Sequence, residues 1–104
     1  MNLPNVITQL VAAQNMYNSD AYASCFTESA TVLDEGNTYN GRPAIKKWIA
    51  KANDTFKTVM KPLSYSENNR NLRAEISGNF PGSPLVLTYQ FEFNEEKIQS
   101  LKII

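Results

Sequence analysis

The sequence predicts an α+β domain, with helices laid over one face of an antiparallel sheet. Three observations carry this. Helical apolar spacing fills most of the first half, the period switches to strand alternation near Thr58, and no repeat, low-complexity tract or linker separates the two parts. At 104 residues the chain is expected to form a single domain, 1–104, around one core.

Pro4 suits a first helical turn, and Ile7, Leu10, Val11 and Tyr17 recur at three- and four-residue spacing, so a first helix is expected over about 4–18. Asn18, Ser19 and Asp20 break it. Asp20 then caps a short second helix running through Phe26, with Tyr22, Cys25 and Phe26 as its apolar residues. Ala30 to Asp34 is β-branched and apolar and reads as a strand, which stops at Glu35-Gly36-Asn37 and opens a loop closing at Gly41. Pro43 starts a third helix. Ala44, Ile45, Trp48, Ile49, Ala52 and Phe56 form its apolar stripe, and Lys46, Lys47, Lys51 and Asn53 lie opposite.

Four extended segments follow as an antiparallel meander. Leu72, Ala74, Ile76, Gly78 and Phe80 alternate with polar residues in one, and Leu85, Leu87, Tyr89, Phe91 and Phe93 form the apolar face of another. Phe80-Pro81-Gly82-Ser83-Pro84 makes the turn between them, and Asn94-Glu95-Glu96-Lys97 the turn before Ile98 to Ile104. Pro62 marks the first of the four segments as an edge or bulged strand, because proline has no N–H for a ladder.

Composition narrows the function. Ten basic residues balance ten acidic ones, so no net field draws a polyanion, and the adjacent pair Lys46-Lys47 reads as a solvated helix back; nucleic acid is not an expected partner. No run of apolar residues is long enough to span a bilayer and no leading signal segment is present, which with a lone cysteine points to a cytoplasmic, non-membrane protein. The chain has no histidine, which removes serine-histidine triads, cysteine-histidine dyads and most zinc or iron sites. No metal or cofactor is therefore expected. Any catalysis rests on carboxylates, phenols, lysines or backbone groups. Cys25, between Tyr22 and Phe26, reads as a small buried hydrophobe rather than a nucleophile.

The element order and several short stretches resemble the nuclear transport factor 2-like (NTF2-like) superfamily, which includes ketosteroid isomerase and the SnoaL-like polyketide cyclases and shares the cystatin-like fold. The likeness rests on Val11-Ala12-Ala13-Gln14-Asn15 followed by Asp20, on Phe26 with Ala30-Thr31-Val32-Leu33-Asp34, on Gly41-Arg42-Pro43-Ala44-Ile45, and on Phe91-Glu92-Phe93-Asn94. It implies a cone-shaped domain: a curved antiparallel sheet wrapped by three N-terminal helices around a hydrophobic pocket, paired as a homodimer through the outer sheet face. The face expected to pair carries Arg73, Glu75, Val86, Thr88, Gln90 and Lys102. The fold alone implies no single chemistry, since isomerases, cyclases, hydrolases and binding modules share it.

Asp34 resembles the proton-shuttling aspartate of the isomerase. If Val32 faces inward, so does Asp34, two residues on, and burial would raise its pKa towards that of a general base; otherwise it caps the turn that follows. Tyr89 stands where the isomerase has an oxyanion-hole acid, so it is either a hydrogen-bond donor or an ordinary core tyrosine. Leu10 departs from the pattern by occupying the place of the isomerase's oxyanion tyrosine, and Tyr17, two turns on, does not replace it. Arg73, Glu75 and Glu92 lie on the polar face and read as solvent or interface charges; the epoxide hydrolase pattern fails for want of aspartates. Phe26, Tyr39, Trp48, Phe80 and Phe91 are the candidate ligand-lining residues, Tyr39 as a gate. Two readings result. One is a binder of a small apolar or aromatic molecule, with isomerase- or lyase-like proton transfer by Asp34 and Tyr89. The other is a non-catalytic ligand- or protein-binding module of the same fold.

Overall fold

A computed structural model describes residues 1–104. The first helix, α1, spans Asn5–Asn15, with Pro4 preceding it and the Pro4 carbonyl accepting from the Ile7 and Thr8 amides at 3.0 and 3.1 Å. Its inward stripe is Val6, Ile7, Leu10, Ala13 and Gln14, the spacing of one helical face. The helix ends three residues before the expected boundary because Tyr17 adopts a left-handed φ of 55°. The second helix, α2, spans Ser19–Ser24. Its cap is Asn18, not Asp20: the Ala21 amide donates to Asn18 Oδ1 at 3.0 Å. Asp20 instead sits in the first turn, where a negative charge complements the helix dipole, and pairs with Lys46.

Strand β1 begins at Phe26 and runs to Asp34, four residues longer than its β-branched stretch indicates. The polar Thr27-Glu28-Ser29 segment joins it through a register break between Phe26 and Thr31. Arg42 steadies that break, donating from Nε and Nη2 to the Phe26 carbonyl at 3.1 and 2.7 Å. The expected loop contains a strand, β2 (Asn37–Asn40), that pairs back on β1. Glu35 and Gly36 both have positive φ, 51° and 78°, as a two-residue hairpin turn requires. The third helix, α3 (Arg42–Phe56), therefore follows two strands instead of lying in an N-terminal group of three.

Asn53, placed by sequence on the solvated back of α3, is 4% exposed. Gln14 explains this: its Nε2 donates to Asn53 Oδ1 at 2.8 Å and to Thr58 Oγ1 at 2.8 Å, tying α1 to α3 and to the chain entering the next strand. Asn15 adds two bonds to the Met60 backbone, 3.0 and 2.8 Å.

The remaining strands, β3 (Val59–Ser66), β4 (Asn71–Ser77), β5 (Leu85–Asn94) and β6 (Lys97–Ile103), form the expected antiparallel meander. The whole sheet is mixed, however: its order is β2-β1-β6-β5-β4-β3, and β1 runs parallel to β6. β3 is an edge strand with a register shift at Pro62/Ser64, as the missing proline N–H demands. All three helices pack on one sheet face over a cluster of 19 buried residues. Ile7, Leu10, Phe26, Val32, Ile45, Leu72, Ile98 and Leu101 are its largest fully enclosed members. No helix is long and apolar enough to cross a membrane.

Candidate functional site

Register places the central acid. Asp34 pairs with Ile103 on β6, Ile103 pairs with Tyr89 on β5, and Tyr89 pairs with Leu72 on β4. Side chains in one such row point to the same face. The neighbouring row, Val32, Leu101 and Phe91, is buried under the helices, so the Asp34 row also faces inward, at the end of β1. Strand spacing sets the Asp34 and Tyr89 Cα atoms roughly 10 Å apart with Ile103 between them, close enough for their side chains to border one ligand.

Trp48 of α3 and Tyr39 of β2 flank this row, half-buried, their rings stacked with centroids 5.4 Å apart. Tyr22 of α2 meets Trp48 edge-on at 6.2 Å and Phe26 at 5.7 Å. The result is a half-buried carboxylate ringed by aromatic side chains. The chain's ion pair joins Lys46 and Asp20, so Asp34 has no cationic partner of its own.

Electrostatics follow from this placement. Burial pushes the Asp34 carboxyl above its ordinary range, the adjacent Glu35 charge pushes the same way, and the Trp48 indole N–H, directed towards the carboxylate, partly opposes both. Tyr89 is held strongly protonated by burial and then by the Asp34 charge. Tyr22 is held protonated by burial first, then by Tyr89, Cys25 and Asp34. Burial also raises the Cys25 thiol, against a smaller pull from Lys97, so it remains a thiol, unsuited to attack.

The hydroxyls of Tyr22 and Tyr89 are not engaged in hydrogen bonds within the chain, yet no fully enclosed side-chain oxygen lacks a partner. Both hydroxyls therefore border space that a water or ligand atom can enter. Tyr17 differs, because its hydroxyl donates to the Lys57 carbonyl at 3.0 Å.

The structure brings Asp34, Tyr89, Trp48 and Tyr39 together and adds Tyr22, which the sequence reading took only as an apolar member of the second helix. The available signal was a phenol four residues before Phe26. Phe26 is fully buried beneath Tyr22, and Phe91 is buried between Tyr89 and Phe93, with ring centroids at 6.5 and 5.7 Å. Phe80 does not join them. β4 stops at Ser77, so alternation does not extend to Phe80, which packs against Phe56 at 6.2 Å instead. Two open hollows lie elsewhere. One, of about 470 Å³, is lined by residues including Arg70, Gln90 and Lys102; the other, of about 650 Å³, lies between the start of α1 and the β5–β6 turn. Neither includes Asp34 or Tyr89. No group of three or more histidine, cysteine, aspartate or glutamate side chains is arranged to hold a metal ion.

No protein-family model matches the chain, and no curated protein matches it in sequence. Solved structures do. A provisionally assigned polyketide cyclase from Sinorhizobium meliloti is 34% identical, with a TM-score of 0.91, and the match covers 98% of this chain and 95% of that one. A protein with a ketosteroid isomerase-like fold from Catenulispora acidiphila, solved in complex with trimethylamine, is 21% identical with a TM-score of 0.86, covering 99% and 86%. An NTF2-like protein of unknown function from Cytophaga hutchinsonii is 16% identical with a TM-score of 0.75, covering 96% and 86%.

Proposed function

Because the chain belongs to the nuclear transport factor 2-like superfamily, we propose that it binds a small, mostly apolar or aromatic molecule beside Asp34 and moves a proton on it, in the manner of an isomerase or cyclase. The observation that carries this reading is the shared row of Asp34 and Tyr89: a desolvated carboxylate without a cation, next to a phenol held in its donating form. Asp34 accepts a proton from carbon beside a carbonyl, the C–H electron pair moves onto the carbonyl oxygen, and Tyr89 donates a hydrogen bond to that oxygen. Asp34 then returns the proton at the same or another carbon. Trp48 and Tyr39 form the apolar wall, with Tyr39 at the entrance; Phe26 and Phe91 support it from below. The reading calls for no metal and no cofactor, and treats residues 1–104 as one domain working in the cytoplasm.

The test is hydrogen–deuterium exchange. In deuterated buffer the protein is expected to speed loss of the α-proton NMR signals of 2-tetralone, a small aromatic ketone, and Asp34→Asn should abolish the effect while keeping the fold. Full exchange activity in Asp34→Asn would refute the assignment.

A second reading, a non-catalytic ligand- or protein-binding module, is favoured by Leu10, which is fully buried where a donor would otherwise stand. Pairing of two copies through Arg73, Glu75, Val86, Thr88, Gln90 and Lys102 is part of both readings. It is supported by Val86, an apolar side chain 47% exposed on the outer sheet face. Sedimentation should show a species of twice 11.7 kDa. A single species of monomer mass at high concentration would rule pairing out.

A further inference from the structure

Charge that develops on a ligand oxygen is best met by more than one donor, and Tyr89 alone provides one. The chain has five tyrosines. Tyr17 is spent on the Lys57 carbonyl. Tyr65 lies on the edge strand β3, beyond Leu72 in the row, and the charges it feels are Glu67 and Arg70, not Asp34. Tyr39 stacks flat on Trp48 at the half-buried entrance, a position for a wall. That leaves Tyr22. Its ring is clamped between Trp48 and Phe26, it is 2% exposed, and its hydroxyl is free of any bond within the chain.

The geometry points to Tyr22 as a second hydrogen-bond donor to the ligand oxygen, so that phenols from α2 and β5 close on one atom and the ligand class is a small carbonyl compound with an acidic C–H beside the carbonyl. This rests on the proton-transfer reading above. Three features support it. Leu10 leaves α1 without a donor, so a donor has to enter from another element, and α2 is the element that delivers a buried phenol to the Trp48 side of the site. Tyr22 and Tyr89 are unspent donors beside a single carboxylate, towards which the Trp48 N–H is already directed, and so the two phenols complement a ligand that brings its own acceptor. Tyr22 and Tyr89 are also the two phenols whose protonated forms the Asp34 charge reinforces.

The chemistry balances without a further reactant. Asp34 takes the α-proton, the C–H pair becomes the enolate π system with charge on oxygen, the two phenols donate to that oxygen without giving up their protons, and reprotonation by Asp34 restores the ketone or its isomer.

The experiment is 2-tetralone exchange by wild type, Tyr22→Phe, Tyr89→Phe, the double variant and Tyr17→Phe as control. Tyr22→Phe and Tyr89→Phe should each lower kcat by about 10²- to 10³-fold with little change in KM, the double variant should be slower still, and Tyr17→Phe should match wild type. A merely structural role for Tyr22 would lower Tm or raise KM instead. Tyr22→Phe exchanging within about threefold of wild type, while Tyr89→Phe and Asp34→Asn are slow, would overturn the Tyr22 assignment and leave the proton-transfer reading standing. Wild type that fails to exchange at all, or exchange that survives Asp34→Asn, would remove that reading and Tyr22's role with it.

Discussion

Asp34→Asn is expected to make this protein more stable at neutral pH, although it removes the group on which the proposed chemistry depends. Burial and the Glu35 charge raise the Asp34 carboxyl above its unfolded value of 3.8, so the folded chain prefers the protonated form. Between 3.8 and the raised folded value, the folded state holds more protons than the unfolded one. Stability is therefore complete below about pH 3.8 and declines as pH climbs through the folded value, leaving a cost at pH 7. Asparagine copies the neutral shape and removes that cost. Solvent screening at this half-buried site keeps that cost well below what full burial of the charge would impose. Since about 1 kcal/mol moves Tm by roughly 4–8 °C in a domain of this size, a higher Tm of the variant at pH 7 is expected and is readable in a melt. The assay is urea or thermal unfolding of wild type and variant from pH 3 to 8, read as the difference between them so that other carboxylates cancel. The advantage of the variant should vanish near pH 3. A variant less stable than wild type at pH 7, or a difference that does not change with pH, would show that Asp34 is not held in a desolvated position.

Two further substitutions test the packing that supports the site. Gln14→Ala strips Asn53 Oδ1 of its 2.8 Å donor, leaving only the 3.5 Å contact from Thr58 Oγ1, and should cost about 2–3 kcal/mol in chemical denaturation. Asn53→Ala should cost less, because Gln14 keeps both Thr58 acceptors; the reverse order would contradict the network. Gly78→Ala drives a Cβ to 2.6 Å from the Phe56 carbonyl oxygen and 3.2 Å from Thr58 Cα, backbone that yields little, and should destabilise by about 1–3 kcal/mol. Unchanged stability would mean that the junction of α3 and β4 is looser than its geometry.

Much of the architecture was legible because helices and strands announce themselves by spacing. The α3 stripe from Ile45 to Ala52 and the alternation around Tyr89 and Phe91 each needed only neighbours in sequence. Trp48 was legible as a candidate on that α3 stripe, and Tyr39 as a candidate gate from its place beside Gly41. Phe80 misled because alternation carries no mark of where a strand stops, and β4 ends where Gly78 must pass close to the Phe56 carbonyl. β2 was hidden by a polar composition that turns share. Tyr22 was hidden by its short helix, in which a phenol and an aliphatic residue fill the same apolar face.

The amino-acid order by itself determined the three helices, the C-terminal meander, the balanced charge and the exclusion of histidine chemistry, since each depends on composition or on contacts within a few residues. Tertiary structure decided the parallel pairing of β1 with β6, the inward turn of Asn53 and the arrival of Tyr22 beside the Asp34 row. Those outcomes depend on partners distant in sequence, such as Gln14 and Asn53, 39 residues apart. Which face a residue buries is settled only when the whole sheet and its helices compete for the same apolar volume.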